Sequence, residues 1–242
     1  MARSSNLLLA SFSNNDIELL KAHLRPVHYD EGHVLFEAGG SVASVYFPTT
    51  VIISLVVQLS SGQVVESAMV GRDGVVGASA AMDGRTSLSR AIVQMTGDAL
   101  VCDIPAIKLA VSRSPTLSSI LIRHEQTVYA QAQQSTACMA AHQVEQRLCR
   151  WLLRARDLCG LDELAFTQEF LAEMLGVRRT SVTQAASVLQ QAKIIAYTRG
   201  KIRIIDLPRL QKSSCECYEA VRSNYSALLK NKHLEAATVG AL

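Results

Sequence analysis

Residues 167–191 constrain the fold more than any other segment, because their apolar spacing predicts two short helices that cross at close range. Thr167 is a good N-cap for the first helix, and Glu169 lies in its first turn, where the helix dipole favours a negative charge. Gly176 supplies the positive φ that ends this helix in a sharp turn. The apolar residues that form the predicted buried faces are Leu171, Ala172, Met174 and Leu175 in the first helix, and Val182, Ala185, Ala186 and Leu189 in the second. The segment therefore predicts a helix-turn-helix unit.

The second helix of this unit keeps one face free, and that face is polar. Arg and Gln side chains can bond the edges of guanine and adenine in the major groove of DNA, and hydroxyls can reach phosphates or base edges. The N-terminal residues of such a helix usually make the base contacts. An ordinary helical hairpin with a solvated polar face is the alternative interpretation. The candidate DNA-binding residues of the unit are Thr167, Gln168, Arg178, Arg179, Thr180, Ser181, Thr183 and Gln184.

Two further features favour DNA as the partner. Residues 193–205 form two short alternating runs about an Arg199-Gly200-Lys201 turn, which predicts the wing of a winged helix. Arg199 and Lys201 could approach phosphates from that wing. The net charge is −2 for residues 1–141, +5 for residues 142–212 and 0 for residues 213–242, so the positive charge falls on the same stretch. A wing that only caps the core does not account for that charge.

The first half of the chain has a different pattern. Ser13 is predicted to be the N-cap of a short amphipathic helix that Pro26 ends. Short β-branched or aromatic runs then alternate with turn residues as far as about residue 105. The runs cover residues 33–36, 45–47, 51–59, 63–70, 90–95 and 99–104. Strands at this spacing indicate a β-sandwich, a jelly roll or a barrel, and Ser60-Ser61-Gly62 marks the clearest hairpin.

A helical segment follows the β-rich part. No Gly or Pro occurs between Pro115 and Gly160, so a long helix or two abutting helices are predicted over about 116–158. The apolar positions of its first part are Leu117, Leu121, Val128, Ala132 and Met139. They suggest a dimerisation helix, although polar residues among them weaken a strict coiled-coil seam. In its second part, the apolar stripe is predicted to face the core, with Arg147, Arg150, Arg154 and Arg156 on a solvated basic face.

Composition and motifs exclude several classes of protein. The best apolar run has seven residues, far below the roughly eighteen that a membrane-spanning helix needs, and residues 7–10 are too short for a signal peptide's apolar region. A cytoplasmic protein with free thiols is therefore expected. No phosphate loop or nucleophile elbow supports an enzyme, so no catalytic residues are predicted. No Cys or His neighbours in the sequence complete a ligand set with Cys215 and Cys217, so no metal site is predicted.

Residues 144–153 and 167–191, together with the wing, resemble the bacterial Crp/Fnr superfamily of transcription regulators. The resemblance implies an α+β fold, in which an N-terminal β jelly roll of the cyclic-nucleotide-binding type is joined by a long connecting helix to a C-terminal winged helix-turn-helix. It implies a homodimer on a two-fold symmetric promoter site, with Arg179, Thr180 and Gln184 reading bases and Thr167 and Gln168 contacting phosphates. The implied parts are a sensor domain over 1–115, a dimerisation helix over 116–141, a DNA-binding domain over 142–212 and a helical extension over 213–242.

The sequence departs from the members of that superfamily that bind cyclic AMP. Those members hold the ribose with a Gly-Glu step and the cyclic phosphate with an Arg followed by Ser or Thr. In this chain Gly77 precedes Ala78, and the expected Arg-Ser pair falls at Ser89-Arg90. Because an Arg-phosphate contact is strong, the loss of this arginine from its expected position predicts no tight cyclic AMP binding. Gly77, Ala78, Ser89 and Arg90 are the candidate residues of a ligand pocket. The first cysteine is Cys102, which disfavours an N-terminal iron–sulfur cluster, and no cofactor is predicted.

The leading hypothesis is a sequence-specific transcription regulator. Its expected partners are double-stranded DNA, a second copy of the chain and, if it activates transcription, RNA polymerase, with no membrane involved. The alternative is a ligand-sensing regulatory module that acts through a protein partner and uses the winged helix as an interaction surface. Binding to DNA that falls steeply with salt concentration would favour the first hypothesis.

Overall fold

The computed structural model describes residues 5–82, 86–198 and 200–230, and its N-terminal part is a β-sandwich flanked by short helices. The strands are β1 (Arg25–Tyr29), β2 (Val34–Phe36), β3 (Ser44–Pro48), β4 (Ile52–Gln58), β5 (Val64–Val70), β6 (Arg90–Met95) and β7 (Gly97–Asp103). The helices are α1 (Leu7–Ser11), α2 (Asn14–Leu20), α3 (Ala78–Ala81) and α4 (Ile104–Arg113). All six runs predicted as strands form strands, and Ser13 caps α2 as predicted.

Two antiparallel sheets form the sandwich. One has the order β1-β7-β3 and the other the order β2-β6-β4-β5. The predicted hairpin joins β4 to β5, and Gly62 in its turn has a φ of +84°. Apolar side chains from both sheets, such as Phe36, Ile53 and Val101, meet in one buried cluster. Period-two alternation in the sequence thus forms a core between two layers.

The strand β1 is the main element of this part that the sequence interpretation misses. The sequence predicts that Pro26 ends a helix, but α2 ends at Leu20 and Pro26 lies inside β1, opposite Leu100. β1 is at the edge of its sheet. A proline without an N–H is tolerated there because one side of an edge strand needs no partner.

The predicted helical segment consists of two abutting helices, α5 (Pro115–Ala141) and α6 (Val144–Cys159), which confirms that prediction. The chain is extended at His142 and Gln143 between them. Leu117 and Leu121 are fully buried within the chain itself, so this part of the predicted dimer seam is wrong. Within the described ranges, none of the helices is both long and apolar enough to cross a membrane.

The C-terminal part is a small helical domain with a three-stranded sheet in the order β8-β10-β9. Its elements are β8 (Glu163–Leu164), α7 (Gln168–Leu175), α8 (Arg179–Gln191), β9 (Ile195–Thr198), β10 (Lys201–Ile204), α9 (Leu207–Ser213) and α10 (Cys217–Lys230). β9 and β10 pair in antiparallel register about the predicted wing turn. α10 lies against both α5 and α6, beyond the wing.

The interpretation of α6 as a helix with a solvated basic face is wrong for three of its arginines. Arg147, Arg150 and Arg154 are only 7–8% exposed. The reason is that α6 is covered on more than one side, since β4 and β5 of the N-terminal part also contact it. The Arg156 side chain is 29% exposed and pairs with Asp162 at the surface. The N-terminal sheet and the C-terminal domain therefore share a buried boundary.

Candidate nucleic-acid interface

The helix-turn-helix forms at the predicted residues, as α7 and α8. The Thr167 hydroxyl caps α7 by accepting the Phe170 N–H at 3.1 Å. Gly176 ends α7 with a φ of +61°, and a Cβ there would also lie 3.3 Å from a methyl of Val65. The eight apolar residues predicted to be buried are each 6% exposed or less. Because both helices are anchored by these faces, the outer side of α8 is held rigidly toward solvent.

The outer side of α8 carries the polar residues singled out in the sequence. Gln168 and Ser181 are half-buried, whereas the exposed candidates are Thr167, Arg178, Arg179, Thr180, Thr183, Gln184 and, on the wing, Lys201. The Thr183 hydroxyl donates to Gln168 Oε1 at 2.7 Å, which ties the start of α7 to the middle of the second helix. Arg199 lies outside the described residues. The structure thus brings the described candidates together on one surface.

Two carboxylates lie among these cations, and the sequence interpretation did not foresee their contacts. Glu169 Oε2 lies 3.6 Å from Arg179 Nε, and Glu163 Oε1 accepts a hydrogen bond from Lys201 Nζ at 3.3 Å. All four side chains are more than half exposed. Such solvent-exposed pairs are weak, so a phosphate can compete for either cation. Each pair joins two different elements, so no local sequence pattern predicts it.

A cleft separates the start of α8 from the wing. It is lined by Thr167, Gln168, Glu169, Arg179, Tyr197 and Gly200. Gly200 has a φ of +80°, which the tight wing turn requires. A Cβ on Gly200 would lie 3.5 Å from the Thr167 methyl, so the wing turn and the start of α7 are close neighbours. The start of α7 and the cation of Arg179 line the same cleft, which suits a phosphate backbone.

Comparison with known proteins agrees with this geometry. The family model described as the Crp-like helix-turn-helix domain matches residues 146–213. The chain carries a Crp-like helix-turn-helix domain. A search of curated protein sequences gave no match.

Solved structures share the fold over most of the chain. FixK2 from Bradyrhizobium japonicum is 15% identical, with a TM-score of 0.68 over 79% of this chain and 98% of its own. A Crp/Fnr-family transcriptional regulator from Thermus thermophilus is 21% identical, with a TM-score of 0.64 over 78% and 98%. CLP, the c-di-GMP-responsive global regulator of Xanthomonas campestris, is 15% identical, with a TM-score of 0.63 over 79% and 99%. The predicted α+β fold is confirmed, and it is shared with these proteins over most of the chain.

The Crp-like domain has a second face, which is buried against the N-terminal sheet. Trp151 Nε1 of α6 donates to the Glu66 carboxylate on β5 at 3.0 Å, and the Ser54 hydroxyl of β4 donates to the same carboxylate. Burial raises the pKa of Glu66, against the opposing effects of the Ser54 hydrogen bond and the positive charge of Arg150. A carboxyl group that belongs to the N-terminal sheet is therefore enclosed by the Crp-like domain.

Two arginines of α6 also make hydrogen bonds at this buried face. Arg154 donates to the Asp73 carboxylate at 2.5 and 3.3 Å and to the Met69 carbonyl at 3.3 Å. Arg147 donates to the carbonyl of Leu175, the last residue of α7. Three of the arginines behind the domain's charge of +5 thus face the protein interior. One signal in the sequence indicates this burial, because Arg147 and Arg154 share a helix face with Trp151, the only tryptophan.

Two of the four residues of the candidate ligand pocket lie in closely packed positions of the β-sandwich. Gly77 has a φ of +85° and lies against the Ser44 carbonyl, and Ala78 behind it is fully buried. Arg90 begins β6, and its Nε lies 3.3 Å from a Glu37 carboxylate oxygen. Ser89 is half-buried beside it. The one cation among the four candidate residues therefore already faces an acidic partner.

Proposed function

We propose that this protein is a homodimeric, sequence-specific regulator of transcription that places α8 in the major groove of a two-fold symmetric promoter site. The observation that carries the proposal is the exposed polar start of α8, held beside the wing cation Lys201 on a Crp-like domain. Arg179, Thr180 and Gln184 are the proposed base-reading residues. The proposed phosphate contacts are Thr167, Gln168, Arg178, Ser181, Thr183, Arg199 and Lys201.

In this proposal the chain divides into a sensor domain (1–115), a dimerisation helix (116–141), a DNA-binding domain (142–212) and a C-terminal extension (213–242). RNA polymerase is a further partner if the protein activates transcription. Such a role also implies a cytoplasmic protein.

The test of DNA recognition is Arg179→Ala on a site selected from random duplexes. We expect affinity to fall by about 1–3 kcal/mol and selectivity to relax at one base position, because an arginine bonds guanine through two donors. Lys201→Ala should weaken all sequences alike and lower the salt slope by about one. Arg222→Ala is the control, since Arg222 is an exposed cation on α10 that pairs with Glu219. Fluorescence anisotropy at several salt concentrations measures all three, and failure to select any symmetric site would favour the protein-partner alternative.

The proposed dimer contact is an uncharged stripe on the solvent side of α5. Its exposed residues are Ile122, Gln126, Tyr129, Gln133, Thr136 and Ala140. They follow one another at alternating steps of four and three, the spacing at which two helices pack along a shared seam. Ile122 is 45% and Tyr129 is 66% exposed, so the stripe presents two large, mainly apolar side chains to solvent. This face replaces Leu117 and Leu121 as the predicted seam.

Tyr129→Arg tests the dimer, because a two-fold axis would bring the two new positive charges close together. We expect the variant to elute as the 26.2 kDa chain while the wild type has twice that mass by light scattering. Leu109→Arg is the matched control, since Leu109 is a half-exposed apolar residue on α4, away from the stripe. If the wild-type chain is a monomer at micromolar concentration, the dimer proposal fails.

We further propose that cyclic AMP does not control this regulator. An incoming phosphate would have to displace Glu37 from Arg90, and Ala78 offers no carboxylate to a ribose. The same fold serves other signals, since CLP is described as responsive to c-di-GMP. Calorimetry should show no submicromolar binding of cyclic AMP, and such binding would overturn this part of the proposal.

A further inference from the structure

Three cysteines and one histidine from distant parts of the chain meet where α5, α6 and α10 come together. Cys138 lies in the last turn of α5, and His142 is the residue that ends that helix. Cys215 precedes α10 and Cys217 begins it. The four ligand atoms, three sulfurs and one imidazole nitrogen, all lie within 4.8 Å of one another. The sequence interpretation considered only ligands that are neighbours in the chain, and it therefore left Cys215 and Cys217 without partners.

Two of the separations between these ligand atoms are close to the edges of a metal-centred tetrahedron. Cys138 Sγ lies 3.5 Å from Cys215 Sγ, and Cys217 Sγ lies 3.6 Å from His142 Nδ1. A tetrahedral zinc ion with bonds of about 2.3 Å to sulfur and about 2.05 Å to nitrogen requires edges of about 3.8 and 3.6 Å. The two sulfurs are well beyond the roughly 2.05 Å of a disulfide. An iron–sulfur cluster distributes its thiolates over several iron atoms, whereas this set is compact enough for a single ion.

Surrounding polar groups support the four residues as ligands. His142 Nε2 lies 3.2 Å from a Glu216 carboxylate oxygen, which leaves Nδ1 directed at the sulfurs. A carboxylate on the far nitrogen of a metal-binding histidine is the usual way to fix its tautomer and orientation. Gln134 Nε2 donates to Cys217 Sγ at 3.0 Å, a hydrogen bond that suits a thiolate.

The burial of the set also suits a structural ion. The three cysteines are at most 4% exposed and form a buried cluster of their own, and the His142 side chain is 16% exposed. A cleft lined by Ser214, Cys215 and Glu216 opens beside them to solvent. The ligand atoms are thus shielded from bulk water, while an ion can still reach them.

We propose that Cys138, His142, Cys215 and Cys217 form a site for a single tetrahedral Zn²⁺ ion. Four protein ligands leave no open position, which makes the site structural rather than catalytic. The ion fastens the start of α10 to the junction of α5 and α6. Because the proposed DNA-binding domain begins at His142, this fastening also fixes the direction in which the domain leaves α5. The C-terminal extension is thereby a clamp at the hinge between the proposed dimer helix and the DNA-binding domain.

The first test is the metal content of the full-length chain, purified under reducing conditions and dialysed against trace zinc. We expect one Zn²⁺ per chain in the wild type and well under stoichiometric zinc in Cys217→Ser and His142→Asn. Cys159→Ser is the matched control, since Cys159 is a thiol on α6 that is not part of the set. Mass spectrometry of the metal measures all four proteins. Equal zinc in Cys217→Ser and the wild type would overturn the proposal.

A second readout does not depend on how well the variants fold. Co²⁺ in place of zinc in the wild-type chain should give intense visible bands of a tetrahedral site and near-ultraviolet charge transfer from thiolate. A weak octahedral spectrum would overturn the proposal. So would a wild-type chain that holds no metal and loses two titratable thiols in air, because Cys138 and Cys215 would then be a redox pair.

Hydrogen exchange tests the clamp itself. Removal of zinc with a chelator should raise amide exchange in α10 and around residues 138–144, while exchange in the β-sandwich stays unchanged. Unchanged protection of α10 after verified loss of zinc would overturn the clamp. None of these measurements uses DNA, so failure of the metal site and failure of the proposed DNA-binding function can be told apart.

Discussion

The two arginine-bearing faces of the Crp-like domain differ in solvent exposure. At the start of α8, Arg178 and Arg179 are exposed, and the exposed carboxylate of Glu169 lies 3.6 Å from Arg179. On α6, Arg147 and Arg154 are buried, and Arg154 holds the Asp73 carboxylate at 2.5 Å. Charge of one sign therefore serves two purposes within one small domain. The outer face is open to a polyanion, whereas the inner face joins the domain to the N-terminal sheet.

This difference changes the meaning of the net charge. A value of +5 over residues 142–212 suggests a strongly basic DNA-binding surface. The structure removes three of those arginines from solvent and sets two of them near Glu66 and Asp73, which belong to the acidic N-terminal part. Part of the difference in net charge between the two segments is thus matched by contacts between them inside the protein. Substitutions on the inner face should therefore change stability, and substitutions on the outer face should change DNA affinity.

Arg154→Met gives the largest expected effect. The substitution keeps much of the side-chain volume but leaves Asp73 buried without its partner, so we expect the free energy of unfolding to fall by about 3 kcal/mol or more. Arg156→Met on the same helix is the matched control, since its pair with Asp162 is at the surface and should cost less than about 1 kcal/mol. Urea unfolding followed by Trp151 fluorescence measures both. Equal losses in the two variants would contradict a specific role for the inner face.

Glu66→Gln sharpens the comparison through pH. Burial raises the pKa of Glu66 above 4.5, so the folded wild type binds its proton more tightly than the unfolded chain does. Wild-type stability from this group is therefore full below the unfolded pKa and declines as pH rises through the folded pKa. The glutamine of the variant cannot ionise, and its amide can still bond Trp151 and Ser54. The stability advantage of the wild type should therefore shrink as pH rises above the ordinary pKa of a glutamic acid. An advantage that grows with pH would show that Glu66 is stabilised as a carboxylate by Arg150 and Arg154.

Glu169→Gln gives the smallest expected effect and acts on the outer face. It frees Arg179 and removes a negative charge beside the proposed phosphate path, so we expect DNA affinity to rise about two- to fivefold. The gain should vanish at high salt because exposed charges are screened. Glu173→Gln is the control, since Glu173 is an exposed carboxylate on the same helix that has no ion pair with Arg179. A lower affinity of Glu169→Gln would mean that Glu169 positions Arg179 for its base.

Much of the candidate interface was predictable because its determinants are local. The Thr167 cap, the Gly176 turn and the apolar positions of α7 and α8 all lie within 25 residues, and each residue does what its chemistry and spacing predict. The strands of the sandwich were predictable for the same reason, through alternation and turn residues. β1 was missed because Pro26 is ambiguous: the same residue suits the end of a helix and the edge of a sheet.

What remained hidden depends on residues that are far apart in the chain. Asp73 and Arg154 are 81 positions apart, and Cys138 and Cys215 are 77 apart. The sequence by itself determined the helix-turn-helix, the wing and the β-rich first half, since short-range periodicity and capping decide them. Only the tertiary structure decided which arginines are buried, which face of α5 is open and which cysteines meet a histidine. Those outcomes follow from how whole elements pack. The local sequence around a residue does not show which distant residue it will contact.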